Sequence, residues 1–332
     1  MKALVTGITG QIGSYLAEHL IDNDIEVHGT IRRHSVVETQ NHRIDHLQDK
    51  IKTHYADLTD VSSLEKVLEE TKPDLIFNLG ALSHVKIGGE QPNYCLQSNT
   101  IGVLNLIEAM KSIVPKARMS QSSSSEMFGN SKVENGYQNE DTPMNPVSVY
   151  GISKLASYHL MKHYRSAHNM FLCNSICFNN ESSRRGTNFV TNKIVTGALS
   201  IKLGLQDKLY LGNLKSRRDW SHSQDIAEAM LKIIKHDKPD DFVIASGQTR
   251  SVQEFCHLIF SLLGMDYNDH VEIDPKFYRP EELHYLQGDS SKARKELNWT
   301  PKFSFMDLVS EMINNNKLAL ENGITINTKA LV

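Results

Sequence analysis

Lys2-Ala3-Leu4-Val5-Thr6-Gly7-Ile8-Thr9-Gly10-Gln11-Ile12-Gly13 is the stretch on which the fold turns. Ala3–Thr6 is a short apolar and β-branched run of the kind a buried strand needs. Gly7, Gly10 and Gly13 follow at intervals of three, and an amphipathic pattern opens at Gln11. A strand, a glycine turn and a helix in that order build a phosphate cradle. Glycines let the turn tighten and the backbone approach a pyrophosphate, and the helix N-terminus faces the anionic charge. Thr9, Gln11 and Ile12 lie in the same turn, so residues 7–13 are expected to hold a dinucleotide.

Outward from that cradle, short strand-like runs alternate with longer amphipathic ones. The expected strands are Ala3–Thr6, Glu26–Ile31, Lys52–Tyr55, Leu75–Leu79, Arg118–Gln121 and Phe171–Ile176. Between them lie helical patterns at Gln11–Ile21, Val61–Glu70, Asn99–Lys111 and Tyr150–Ala167. Regular alternation implies crossover connections and a parallel sheet covered on both faces. The expected class is α/β: a Rossmann-like doubly wound parallel sheet with a smaller, discontinuous α/β C-terminal substrate lobe. Residues 1–178, with a return segment at about 221–247 carrying a strand at Phe242–Ala245, are assigned to the first unit. Residues 179–220 and 248–332 are assigned to the second. From about Phe178 onward, helices are expected at Asn188–Lys202, Gln224–Lys235 and Val252–Leu263, with polar, irregular loops at Asn179–Arg185 and Gly212–Trp220.

At 332 residues the chain can bury a large core. Its 36 Lys and Arg against 39 Asp and Glu give a formal net charge of −3, which excludes the global positive field of a nucleic-acid binder. Cys95, Cys173, Cys177 and Cys256 show neither metal nor disulfide spacing and read as small buried hydrophobes in a reducing compartment. No metal site is expected. No apolar run approaches the ~20 residues of a membrane span, and Met1 leads straight into a strand with no signal peptide. A soluble, cytoplasmic protein is the expectation.

The second strand ends at Thr30-Ile31-Arg32-Arg33, where an NAD-selective fold places an acid against the ribose hydroxyls. Two guanidiniums suit a ribose 2′-phosphate, so NADP is expected. Asp57-Leu58 after the third strand falls near the adenine, and Leu79-Gly80-Ala81 after the fourth permits close cofactor approach.

Tyr150-Gly151-Ile152-Ser153-Lys154 sets a phenol and an ammonium one helical turn apart on one face. Free tyrosine has a pKa of about 10 and is a poor base at neutral pH. A nearby lysine and a positive nicotinamide favour phenolate, which would let Tyr150 take a proton from a sugar hydroxyl as hydride leaves its carbon. The fifth strand runs into Gln121-Ser122-Ser123-Ser124-Ser125-Glu126. A serine near Tyr150 suits any such dehydrogenase, but the carboxylate of Glu126 is an addition. A ketone formed at C4 acidifies the hydrogen on C5, and a carboxylate there can remove it and help expel the C6 hydroxyl as water. Ser182-Ser183-Arg184-Arg185-Gly186, Arg217-Arg218-Asp219-Trp220 and Phe277-Tyr278-Arg279-Pro280-Glu281-Glu282 each gather guanidinium groups that match phosphate oxygens.

With these residues in view, the chain resembles the GDP-mannose 4,6-dehydratase family, of the extended short-chain dehydrogenase/reductase kind, over nearly its whole length. Carrying the resemblance are Gly7–Glu18, Asn78–Ile87, Ser123–Gly129 and Tyr150–Lys154 in the first unit. More distinctive are Asn180–Ile194, Leu211–Trp220, Asp241–Gly247 and Phe277–Glu282. The resemblance implies that Tyr150, aided by Lys154, oxidises C4 against NADP, that Glu126 takes the C5 proton, and that Ser124 and Ser125 hold the sugar. It further implies a GDP-linked substrate among Ser83, His84, Asn179, Glu181, Arg185, Asn188, Val190, Lys193, Leu211 and Gly212. Arg218 and Arg279 would meet the diphosphate and Glu282 the ribose. Homodimers or homotetramers are implied as well, the latter through the loop after Arg33.

The chain departs from the family pattern at Ile12 (aspartate), Ser124 (threonine), Phe128 (tyrosine), Asn180 (histidine), Ser183 (proline) and Asn192 (arginine). The loop changes, with Gly88-Gly89-Glu90 expected beside the sugar, keep a GDP-heptose of manno configuration as an alternative to GDP-mannose. A 4-keto-sugar reductase or epimerase, which needs no C5 base, and a non-catalytic NADP-sensing regulator are the other readings.

Overall fold

The computed structural model describes residues 1–33, 40–132, 135–278 and 281–321. Its strands are β1 (Lys2–Thr6), β2 (Glu26–Ile31), β3 (Ile51–Tyr55), β4 (Leu75–Asn78), β5 (Arg118–Ser124), β6 (Phe171–Cys177), β7 (Asn179–Glu181), β8 (Leu209–Leu211), β9 (Arg217–His222), β10 (Asp241–Ile244), β11 (Thr249–Ser251) and β12 (Val271–Ile273). The helices are α1 (Gln11–Ile21), α2 (Val61–Thr71), α3 (Val85–Glu90), α4 (Pro92–Leu96), α5 (Gly102–Ile113), α6 (Val149–His168), α7 (Val190–Lys202), α8 (Ser223–Lys235), α9 (Val252–Leu262), α10 (Ser291–Leu297) and α11 (Phe305–Glu321).

Seven strands form one parallel sheet in the order β10-β6-β5-β4-β1-β2-β3. Alternation along β1 shows why it is covered on both sides. Ala3 and Val5 join the core of Leu16, Leu20, Ile226 and Met230 from α1 and α8, while Leu4 joins Leu64, Leu68, Leu106 and Met110 from α2 and α5. The chain winds from β1 through β2 to β3 in one direction and from β4 through β5 to β6 in the other. The order therefore reverses between β1 and β4, and a ligand crevice opens outside their carboxyl ends.

β10 returns to the sheet beside β6, pairing Phe242 with Ser175 and Ile244 with Cys177. Two smaller sheets, β11-β9-β7 and β12-β8, pack with α7, α9 and α11 around Trp220, Phe255, Phe260, Leu308 and Met312. All four cysteines are free and buried.

Two stretches expected as irregular loops are partly strand. Asn179–Glu181 pairs with Trp220–His222, and Arg217–Asp219 pairs with Thr249–Ser251. Their polarity hid them, because charged residues seldom occupy buried strands without partners. Here the fold supplies the partners. Arg218 donates to the carbonyls of Arg217 (2.9 Å) and Leu283 (2.7 Å). The Asp219 carboxylate accepts from the backbone N–H groups of Ser246, Gly247 and Gly288 at 2.9–3.1 Å.

Candidate active site

At the switch point Gly7 adopts φ +66° and a side chain there would press on the Gly80 nitrogen at 3.0 Å. A Cβ on Gly13 would meet the Gly7 carbonyl at 2.4 Å, so the first turn of α1 closes on the loop only without one. The Thr6 hydroxyl accepts from the N–H groups of Leu79 (3.1 Å) and Gly80 (3.0 Å), tying the two turns together. No side chain caps α1, whose N-cap is Gly10. Its first-turn N–H groups therefore point toward the crevice as donors for a pyrophosphate. This cradle fits a dinucleotide.

The crevice continues into a cleft of about 650 Å3 between the sheet and the second lobe. Gly7, Thr9, Gly10, Gln11, Ile12, Gly13, Arg32, Asp57, Leu58, Leu79, Gly80 and Ala81 line one end. Ser83, His84, Ser125, Asn179, Glu181, Arg185, Asn188, Val190, Lys193, Leu211, Gly212, Arg218 and Glu282 also line the cleft, as do Ser124, Glu126, Tyr150 and Lys154. Arg279 lies outside the described residues, as do residues 34–39 following Arg33.

Several sequence expectations are corrected here. Arg33 does not line the cleft; its guanidinium lies 5.9 Å from the ring centre of Tyr55. Arg32 does line it and donates to the Tyr94 hydroxyl. The basic loops deliver fewer cations than their composition suggests. Arg184 turns to Glu18 (2.5 Å) and Ser14 (2.9 Å) on α1, and Arg217 to Glu254 (3.3 Å) and the Thr249 carbonyl (3.0 Å), because each has a carboxylate in reach. Gly88, Gly89 and Glu90 stand off the cleft wall that Lys86 joins; Gly88 backs onto Cys95 and the Cβ of Tyr150.

Ser148 caps α6 and places Tyr150 in its first turn, with Lys154 one turn on. Both side chains are buried, and the Lys154 ammonium lies 5.9 Å from the Tyr150 ring centre while donating to the Ser122 carbonyl at 2.7 Å. Burial raises the Tyr150 phenol above its ordinary value; a hydrogen bond with Ser124 opposes this and the Glu126 charge adds to it. Burial also lowers Lys154 to about 8. Folding thus disfavours charge on both groups, and moving the Tyr150 proton calls for positive charge inside the cleft.

Glu126 lies on a single 3-10 turn, Ser125–Phe128, directly after β5. The Ser124 hydroxyl caps that turn by accepting from the Glu126 N–H at 3.2 Å. The chain leaves the turn through Gly129 at φ +57°, where any side chain would strike the Asn145 carbonyl. A carboxylate and a phenol–ammonium pair thus share one wall.

Toward the second lobe, the buried Glu181 pairs with the partly buried Arg185 at 2.9 Å, and Thr191 donates to Glu181 at 2.7 Å. The Lys193 ammonium sits 3.6 Å from the Phe277 ring centre and is lowered to about 8, by burial first and then by repulsion from Lys276. Glu282 accepts from Ser216 at 2.9 Å and from Asn213 at 3.3 Å. His84 caps α3, accepting from the Ile87 N–H at 3.3 Å. Sequence reasoning missed Gln40, Tyr94, Ser98, Cys177, Asn213 and Phe277 on the cleft wall. Gln40, Tyr94, Ser98 and Cys177 lie outside every motif, whereas Asn213 and Phe277 sit within Leu211–Trp220 and Phe277–Glu282, where the charged neighbours drew the reading.

A doubly wound sheet with a glycine cradle at its switch point and a Tyr–Lys pair beside it defines a Rossmann-fold protein of the short-chain dehydrogenase/reductase type. Dehydratase structures share this fold: that of dTDP-glucose 4,6-dehydratase from Bacillus anthracis, in complex with NAD, superposes with a TM-score of 0.84 at 23% identity, covering 98% of this chain and 100% of that one. A family model described as GDP-mannose 4,6 dehydratase matches residues 4–312, and the chain belongs to that family. GDP-mannose 4,6 dehydratase 2 of Arabidopsis thaliana is 44% identical over 326 residues, covering 95% of this chain and 86% of the relative. GDP-mannose 4,6 dehydratase of Homo sapiens is 43% identical over 339 residues, covering 94% and 90%.

Proposed function

We propose that the protein is a hydro-lyase converting GDP-mannose to GDP-4-keto-6-deoxymannose with NADP as its cofactor. The observation that carries this reading is Glu126. It adds a carboxylate to the Tyr150–Lys154 pair inside one cleft of a chain whose family is that of the GDP-mannose 4,6-dehydratases. The glycine cradle would hold the pyrophosphate, and Arg32, at a strand end with no acid beside it, favours a 2′-phosphate over a free ribose hydroxyl. Bound there, NADP supplies a hydride acceptor at C4 and a hydride donor for C6.

Tyr150 takes the C4 hydroxyl proton, with Lys154 stabilising the phenolate and Ser124 orienting the sugar oxygen. Glu126 removes the C5 proton, which the new C4 ketone has made acidic, and returns a proton to the departing C6 hydroxyl. Tyr150 then gives its proton to C5 as C6 is reduced, so atoms balance as loss of one water with no net change in the cofactor. Arg185, Lys193, Arg218 and Arg279 provide positive charge for the diphosphate, and Glu282 an acceptor for the ribose. A cytoplasmic homodimer or homotetramer belongs to the same reading; among the described residues no helix is long and apolar enough to cross a membrane.

Glu126→Gln tests the assignment. This variant keeps C4 oxidation, seen as nicotinamide absorbance on mixing with GDP-mannose, and loses water elimination by about 10²–10⁴-fold. Unchanged elimination in Glu126→Gln would remove the carboxylate from the chemistry and leave a reductase or epimerase as the better reading.

A further inference from the structure

The hydroxyl that starts the catalytic helix reaches the carboxylate opposite it. Ser148 Oγ accepts the Gly151 N–H at 3.0 Å and lies 3.5 Å from Glu126 Oε2. A carboxylate only accepts, and the hydroxyl has already taken the Gly151 N–H, so the one hydroxyl proton is directed at Glu126. Gly151 makes the approach possible. A Cβ there would meet the Glu126 carbonyl at 2.8 Å and the Pro146 side chain at 2.9 Å. On the other side Ser124 holds the Glu126 backbone N–H at 3.2 Å. Glu126 is thus held by its backbone at the end of β5 and by its carboxylate at the cap of α6, whose first turn also carries Tyr150.

From this geometry we infer that Ser148 is a positioning residue: its hydroxyl fixes the Glu126 carboxylate relative to Tyr150 for proton abstraction at C5. The inference rests on the dehydratase reading above. It separates two functions of one hydroxyl, capping the helix and orienting the acid, which substitutions can pull apart. Aspartate caps helices as well as serine does, yet its carboxylate has no proton to offer Glu126 and repels it. Threonine keeps both functions.

The test uses full-length protein loaded with NADP+ and mixed with GDP-mannose, either unlabelled or deuterated at C5. In Ser148→Asp the unfolding midpoint stays near that of the unsubstituted protein. Hydride transfer persists as a rise in NADPH absorbance, elimination slows at least about tenfold, and a C5 isotope effect on turnover emerges. Ser148→Thr restores most of the rate. Should Ser148→Asp fold poorly, Ser148→Ala provides the same comparison of the two steps. Elimination close to the unsubstituted rate in the variants, or equal loss of hydride transfer and elimination with no isotope effect, would overturn the assignment. Failure of the unsubstituted protein to dehydrate GDP-mannose would instead refute the underlying reading.

Discussion

Lys154 links pH to both chemistry and folding at the scale of a single residue. Its folded value of about 8 lies below the ordinary 10.5 because the ammonium is buried. The cation that supports a Tyr150 phenolate is therefore present below about pH 8 and lost above it. kcat/KM is predicted to fall on the alkaline side through that value, and Lys154→Arg, which holds its charge, should move the limb upward. Stability runs the opposite way: burying the ammonium costs folding free energy below about pH 8, and the cost is relieved as pH rises from 8 toward 10.5. A profile flat across pH 7–9 in the unsubstituted protein would exclude Lys154 as the titrating group. Tyr150 and Lys154 were legible from sequence because their spacing is a helical turn. Ser148 was not, since its contact with Glu126 joins two segments whose separation in space only the fold determines.

Elements with a strong period were legible to within a few residues. Gln11–Ile21 and Glu26–Ile31 fall at their expected limits, and α6 extends its expected range by one residue at each end. Asn99–Lys111 was misjudged at its start, where a π-helical turn, Gln97–Ile101, precedes α5 and turns Asn99 inward to the Leu82 backbone and Ser153. β7 and β9 were illegible because the fold supplies partners for their charges: Arg185 for Glu181, the Leu283 carbonyl for Arg218, and the Ser246, Gly247 and Gly288 N–H groups for Asp219. The glycine turn, in contrast, is fixed by contacts that tolerate no Cβ, and this gives a prediction for the element. Gly13→Ala forces a methyl to within 2.4 Å of the Gly7 carbonyl, so the turn must open. Dinucleotide affinity is predicted to fall more than tenfold, measured by titration of intrinsic fluorescence, with folding retained. Unchanged affinity would mean that the phosphates are not held at this turn.

Across the whole molecule, a half-buried knot joins the lobes that form the cleft. Glu311 on α11 accepts from His222 at the end of β9 (2.9 Å), from the Ser183 N–H (3.0 Å) and from Tyr15 on α1 (3.3 Å). Burial alone would raise this carboxyl, but the hydrogen bonds from His222 and Ser183 outweigh it and lower Glu311 to about 2, from 4.5. Its contribution to stability is therefore complete above about pH 4.5 and is lost as pH falls toward 2. Glu311→Gln is predicted to lower the unfolding midpoint at neutral pH and to flatten its decline across that acid window; a parallel decline in both proteins would refute the linkage. The doubly wound sheet was legible from the alternation of strands and helices, whereas this knot depends on four segments meeting and left no local signature. The central claim, an internal hydride cycle that expels water from a GDP-hexose, is tested most directly by incubating the protein with GDP-mannose and NADP+ while following product mass and nicotinamide absorbance together. Loss of one water from the sugar nucleotide with no net NADPH is the predicted result. Intact GDP-mannose, or stoichiometric NADPH without loss of water, would contradict it.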